Sequence, residues 1–155
     1  MDSPQNTIWG PHLWTILHSS AERIGTFQHK KLPKEELRIW KNILSSLRYS
    51  LPCPSCKKHY SEYYSSNPLT TLNKESVRLW LYNLHTTINT RNQKPNTITL
   101  DRLPNLYNIP FNFTEHFKII INQMKKALTI GICARDDIQR SIRAFQELKI
   151  FYDFF

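Results

Sequence analysis

The sequence predicts an all-α protein. Three glycines in 155 residues, few alternating strand-like runs, and apolar residues recurring at helical spacing between proline-bearing loops carry that prediction. The first helix is expected from Gly10-Pro11, because proline is tolerated in a first turn, to about Ile24, with Gly25 as its stop. Leu13, Trp14, Leu17, His18, Ala21 and Ile24 then share one face. A second helix follows Pro33: Glu35 and Glu36 suit a helix N-terminus, and Leu37, Trp40, Ile43, Leu44 and Leu47 repeat at helical spacing before Leu51-Pro52 ends it. Pro54 reads as the first residue of a short third helix, with Cys53 near its N-cap, running to Asn67-Pro68. Asn73 caps a fourth, carrying Val77, Trp80, Leu81, Leu84 and Ile88 to about Asn92, and Lys94-Pro95 closes it. From Asn96 to Pro110 an irregular connection is expected, with one short helical turn around Leu100–Leu103. Thr114 then caps a helix that stops near Gly131, and a last helix runs from about Asp136 through Ile138, Ile142, Phe145, Leu148 and Phe151.

The chain length suits one domain spanning residues 1–155, able to bury a core without staples. Three cysteines are too few for a disulfide framework, and an odd number leaves one unpaired within the chain. Met1 to Thr7 has neither a basic start nor an apolar stretch, and no apolar run approaches membrane-spanning length, so a soluble protein without a signal peptide or membrane contact is expected. The net charge of +9 is uneven: residues 1–95 carry 13 basic and 6 acidic side chains, residues 96–155 carry 8 and 6. Such a field attracts phosphates or acidic partners. Lys30-Lys31 and Lys57-Lys58 are only doublets without nucleic-acid signatures around them, so no nucleic-acid partner is expected.

Three stretches can carry chemistry. In the first helix Trp14 and His18 are four apart and adjacent, with Gly10 one turn earlier leaving room for a flat aromatic ligand; a core tryptophan with a satisfied histidine explains the same pattern. In the fourth, His85, Asn89 and Asn92 mix polar groups into a stripe that Arg78 and Leu81 precede, and buried polar groups need partners. Between them lies Cys53-Pro54-Ser55-Cys56. At a helix N-terminus both thiols are favoured as thiolates. Cys53, Cys56 and His59 also form a Cys-x2-Cys-x2-His arrangement, with His85 or Cys133 as a conceivable fourth zinc ligand. That reading would make the chain a zinc-stabilised basic interaction module without catalysis. The redox reading needs only an electron acceptor beside the pair.

Taken in order and spacing, Trp9-Gly10-x3-Trp14-x3-His18, Pro52-Cys53-x2-Cys56-x2-His59 and Trp80-x4-His85-x3-Asn89-x-Arg91-x2-Lys94-Pro95 resemble the FAD-linked sulfhydryl oxidases of the Erv/ALR type. The match covers residues 8–95 and is most similar to the compact oxidases of large DNA viruses. The resemblance implies a four-helix bundle with a short fifth helix enclosing non-covalent FAD, and a homodimer. It implies Cys56 as the flavin-proximal thiol and Cys53 as the one exchanging with substrate. Gly10, Trp14, His18, His59, Trp80, His85, Asn89 and Lys94 would bind FAD. The implied reaction is dithiol plus O2 giving disulfide plus hydrogen peroxide, with a thiol-bearing client or relay protein as partner, in the host cytoplasm or the virion. Two positions depart from the family pattern: Thr86 follows His85, and Leu51 precedes Pro52-Cys53. The chain has no second CxxC, and Cys133 reads as a buried apolar residue. Residues 96–155 lie outside the resemblance and are expected to complete the bundle.

Overall fold

A computed structural model describes residues 4–26 and 33–154. The Lys30-Lys31 doublet and the first three residues of the N-terminal stretch lie outside them. The described residues form seven α-helices and no strand: α1 Asn6–Ala21, α2 Pro33–Ser50, α3 Pro54–Ser66, α4 Lys74–Arg91, α5 Leu103–Tyr107, α6 Phe113–Thr129 and α7 Arg135–Phe151, with a 3₁₀ turn at Leu100–Arg102 leading into α5. The all-α fold class holds. None of these helices is long and apolar enough to cross a membrane.

Two helix starts differ from expectation, and α1 ends at Ala21 rather than about Ile24, with hydrogen-bonded turns carrying the chain on to Gly25 in the left-handed region. Helix α1 starts a turn before Gly10, its first turn closed by the amides of Ile8 and Trp9 on the Gln5 carbonyl, at 2.9 and 3.2 Å. Pro11 therefore sits inside the helix, where it removes one backbone donor. The Gln5 amide is held by Gln123 Oε1 of α6 at 2.9 Å, an anchor far along the chain that no local pattern announces. The cap of α6 is Asn112, whose Oδ1 accepts the Glu115 amide at 3.1 Å, rather than Thr114; asparagine at this place satisfies the third helical amide. The predicted turn at Leu100–Leu103 is present, and α5 follows it directly.

Helix α1 packs on α4 and α6, and α2 packs on α3 and α7. The α6–α7 hairpin thus lies along the first two helices, with Phe113, Met124, Phe145 and Leu148 fully buried in the same core as Ile16, Trp40, Ile43 and Leu81. Polar groups stitch the α2–α7 seam. Trp40 Nε1–H donates to Tyr152 Oη at 3.0 Å, Tyr152 donates to Glu36 Oε2 at 2.5 Å, and Glu36 accepts the Gly25 amide. Deeper in the seam Ser46 gives its proton to the Ile43 carbonyl, so it accepts from Ser141, and Ser50 must donate to Ser141.

Candidate active site

Pro54 opens α3 with a fixed φ, and Cys53 before it is extended (φ −160°, ψ 126°), which places its sulfur over the first turn. Cys53 Sγ accepts the Cys56 amide at 3.2 Å and lies 3.2 Å from Ser55 Oγ. All three cysteines are free thiols. Burial raises the Cys53 pKa, but hydrogen bonds from the Cys56 thiol, the Ser55 hydroxyl and the two local amides outweigh it, and the net shift is downward. Cys56 is pushed up to about 12, first by burial and then by the hydrogen bond and charge of Cys53. The reduced pair therefore holds its first negative charge on Cys53 and its proton on Cys56.

The two cysteines stand differently toward the interior. Cys56 lines a cavity of about 550 Å³, and Cys53 does not. That volume is in the range of small-molecule and cofactor sites. Gly10 and Trp14 of α1, His59 of α3, and His85, Asn89 and the following Lys94 from α4 line it as well. Of the residues singled out in the sequence, two lie elsewhere. His18 is 2% exposed and sits behind the wall. Trp80 is in the α3–α4 core, its Nε1–H donating to the Asn67 carbonyl at 2.7 Å and its ring edge-on to Tyr60, Tyr63 and Tyr64.

One wall is a block of flat rings. His85 stacks on Trp14 with centroids 4.0 Å apart and planes 8° from parallel. His18 stands behind it, Nε2 3.1 Å from His85 Nδ1. Desolvation, then the charges of His85 and Arg78, lower the His18 pKa to about 3, and desolvation followed by Lys94 lowers His85 to about 4. Both imidazoles are neutral near pH 7, so one nitrogen of the pair donates and the other accepts. Tyr107 of α5 completes the block, stacked on His18 at 4.7 Å, and also lines the cavity. Sequence reasoning missed Tyr107: its five-residue helix has no period, and its approach to α1 depends on Arg23, which donates to the Tyr107 and Ile109 carbonyls at 3.2 and 2.9 Å. Arg91 and Lys94 add positive charge to the lining. Gln93 in the left-handed region (φ 59°) and the Lys94 amide on the Asn89 carbonyl at 2.8 Å end α4 so that Lys94 reaches the lining.

A ring-walled cavity with basic side chains in its lining suits a flat, phosphate-bearing group. Two further details agree. A Cβ built on Gly10 would meet nothing within 4 Å, so its place is open. Trp9, in the lining, has a buried Nε1–H that meets no acceptor among the described residues. The zinc arrangement does not assemble: among the described residues no three His, Cys, Asp or Glu side chains come together as a metal would require. Cys133 instead donates to the Leu51 carbonyl at 3.4 Å.

Comparison with known proteins adds that the sequence profile of the Erv1/Alr family matches residues 11–109. The chain belongs to the Erv1/Alr family. It is 29% identical over 80 residues to the FAD-linked sulfhydryl oxidase ERV1 of Arabidopsis thaliana, covering 52% of this chain and 40% of that protein. Over 103 residues it is 28% identical to a protein of frog virus 3 (isolate Goorha) whose name marks it as a candidate FAD-linked sulfhydryl oxidase, covering 65% of this chain and 67% of the relative. The mitochondrial FAD-linked sulfhydryl oxidase ERV1 of Saccharomyces cerevisiae is 28% identical over 95 residues, 61% of this chain and 48% of its own. The chain thus spans about half the length of the plant and yeast relatives. No solved structure matches it. The Erv1/Alr match takes in the cysteine pair, the ring block and α5, and leaves α6 and α7 outside.

Proposed function

We propose that the chain is an FAD-dependent thiol oxidase that forms disulfide bonds in protein clients. The observation that carries this reading is the division of the cysteine pair: Cys56 in the wall of a cavity lined by rings and basic side chains, Cys53 outside that lining at the N-terminus of α3. Trp14, His85, Asn89, His59 and Lys94 would hold FAD, Gly10 leaving space for it and His18 backing the wall. When bound, FAD supplies the two-electron acceptor that returns the pair to the disulfide and passes the electrons to O2, giving hydrogen peroxide.

The protein's own part is thiol–disulfide exchange. With the pair oxidised, a client thiolate attacks Cys53 Sγ, a client–Cys53 bond forms, the Cys53–Cys56 bond breaks, and Cys56 leaves with the electron pair. While Cys53 is bonded it carries no charge, so that contribution to the high Cys56 pKa is absent at this step. The client's second thiolate then attacks the client sulfur, and Cys53 leaves as the thiolate that the α3 amides and Ser55 stabilise. The products are a client disulfide and a dithiol pair. Neutral His18 and His85 keep the ring wall of the cavity uncharged, and the positive charge of its lining comes from Arg91 and Lys94.

The test is to purify the protein and record its visible spectrum, then follow oxygen uptake with dithiothreitol and with a reduced protein. A flavin band and uptake that Cys53→Ser and Cys56→Ser each abolish are expected. A colourless protein, or undiminished turnover in either variant, would overturn the reading. A homodimer is part of the proposal: light scattering should return twice the mass of the chain, and a monomer at micromolar concentration rejects that part alone.

A further inference from the structure

We infer that the turn between α6 and α7, outside the family match, supports the redox pair, and that Lys57 and Cys133 are positioning residues for Cys53. This rests on the thiol-oxidase reading of the same pair.

Each backbone group of Cys53 reaches that turn through one intermediate residue, Leu51 or Lys57. On its amide side, Cys53 N–H donates to the Leu51 carbonyl at 2.8 Å, and the same oxygen accepts Cys133 Sγ–H at 3.4 Å. On its carbonyl side, Cys53 accepts the Lys57 amide at 3.0 Å, and the Lys57 ammonium donates to the Ile132 carbonyl. The turn is itself tightly closed: Gly131 is in the left-handed region (φ 84°), and the amides of Ile132 and Cys133 both return to the Ala127 carbonyl, at 2.8 and 3.4 Å. A fixed element thus grips the loop on either side of the exchanging cysteine.

The chemistry depends on that grip. Cys53 is a good leaving thiolate only while its sulfur stays 3.2 Å from the Cys56 amide and beside Ser55. A loop free to shift by an ångström loses those contacts, and preorganisation by a supporting shell is what prevents this. Cys133 can serve only as a protonated thiol. Burial raises its pKa, and although the Lys57 charge opposes this and Asp137 adds to it, the net direction is upward. Cys133 is then a hydrogen-bond donor beside the pair, not a third redox centre.

The test uses full-length reduced protein and iodoacetamide, with mass spectrometry reading alkylation of Cys53 alone as a function of pH. Lys57→Met and Cys133→Val remove the donors and keep the bulk; Lys57→Arg and Cys133→Ser retain a donor. The first two should move the pH of half-maximal alkylation up by about half a unit, toward the ordinary thiol value of about 8.5. Alkylation at pH 7 should then slow by roughly threefold. The donor-retaining variants should follow the wild-type profile. The inference is overturned if Lys57→Met overlays wild type, or if Cys133→Ser behaves as Cys133→Val. Should Cys133→Val fail to fold, the half-buried Lys57 carries the test alone. Alkylation needs no oxygen turnover, so this inference and the oxidase reading fail separately.

Discussion

His18 and His85 show what burial does to a titrating side chain. Each is neutral in the folded protein, with its pKa lowered from 6.5 to about 3 and about 4, chiefly by desolvation. Unfolding returns both to the ordinary value, so the unfolded chain binds more protons between the folded and unfolded pKa values. The stability from keeping them neutral is full above about pH 6.5 and is lost as pH falls toward 4 and below, on the order of a few kcal/mol for the pair. Melting temperature should therefore drop steeply between about pH 6.5 and 4. In His18→Gln, which keeps a hydrogen-bonding side chain that does not titrate, the slope should be shallower; an unchanged slope would refute the assignment. Trp80 calls for the opposite kind of result. Its Nε1–H is committed to Asn67 and its ring to the tyrosines of α3, so Trp80→Phe should cost about 1–3 kcal/mol of stability. Flavin content per folded protein should stay at the wild-type level, and a flavin-depleted but stable Trp80→Phe would show that Trp80 serves the cavity after all. Trp14, His85 and Asn89 share the cavity lining, which their spacing could indicate because helical periodicity is local. It could not tell His18 from a residue of the lining, since that depends on how α5 and α4 close over it.

Among the elements, one cap was legible and another was not. Asn73 was readable as a cap, and its Oδ1 accepts the Ser76 amide at 2.8 Å. Asn112 does the same for α6, so Asn112→Ala should cost about 1 kcal/mol, or roughly 3 °C in melting temperature for a chain of this size. Thr114→Ala should cost little, and the reverse order in thermal melts would restore Thr114 as the cap. Pro11 is a strong local signal that points to a start one turn later than the true start of α1, whereas the contact that extends the helix upstream comes from Gln123. Helix α5 is readable only as one turn, being short and held by Arg23 from the turn that follows α1. The serine cluster between α2 and α7 was also invisible: Ser46, Ser50 and Ser141 look like solvated residues until two helices face each other. There Ser141→Ala would strand the Ser50 donor in the core, a cost of about 1–3 kcal/mol, measurable by denaturant unfolding.

At the scale of the molecule, the question is whether the part that matches the Erv1/Alr family, residues 11–109, is a folding unit. Helix α7 covers α2 and α6 covers α1, and Trp40, 1% exposed, gives its indole N–H to Tyr152 beyond the end of α7. Removing residues 110–155 would turn Trp40 and its apolar neighbours on α1 and α2 to water. At about 1.5–3 kcal/mol for each large apolar side chain, three or four such exposures match the entire net stability of a domain, about 5–15 kcal/mol. The residues removed take their ordering entropy with them, but those left behind are ordered without being buried. A chain ending at Ile109 should therefore lack a cooperative thermal transition, or survive only by self-association through the uncovered face. Circular dichroism melts and light scattering on residues 1–109 decide this. A monomer melting cooperatively within a few degrees of the full chain would show that α6 and α7 are dispensable to the core. The α6–α7 turn would then be left with the redox loop as its one task.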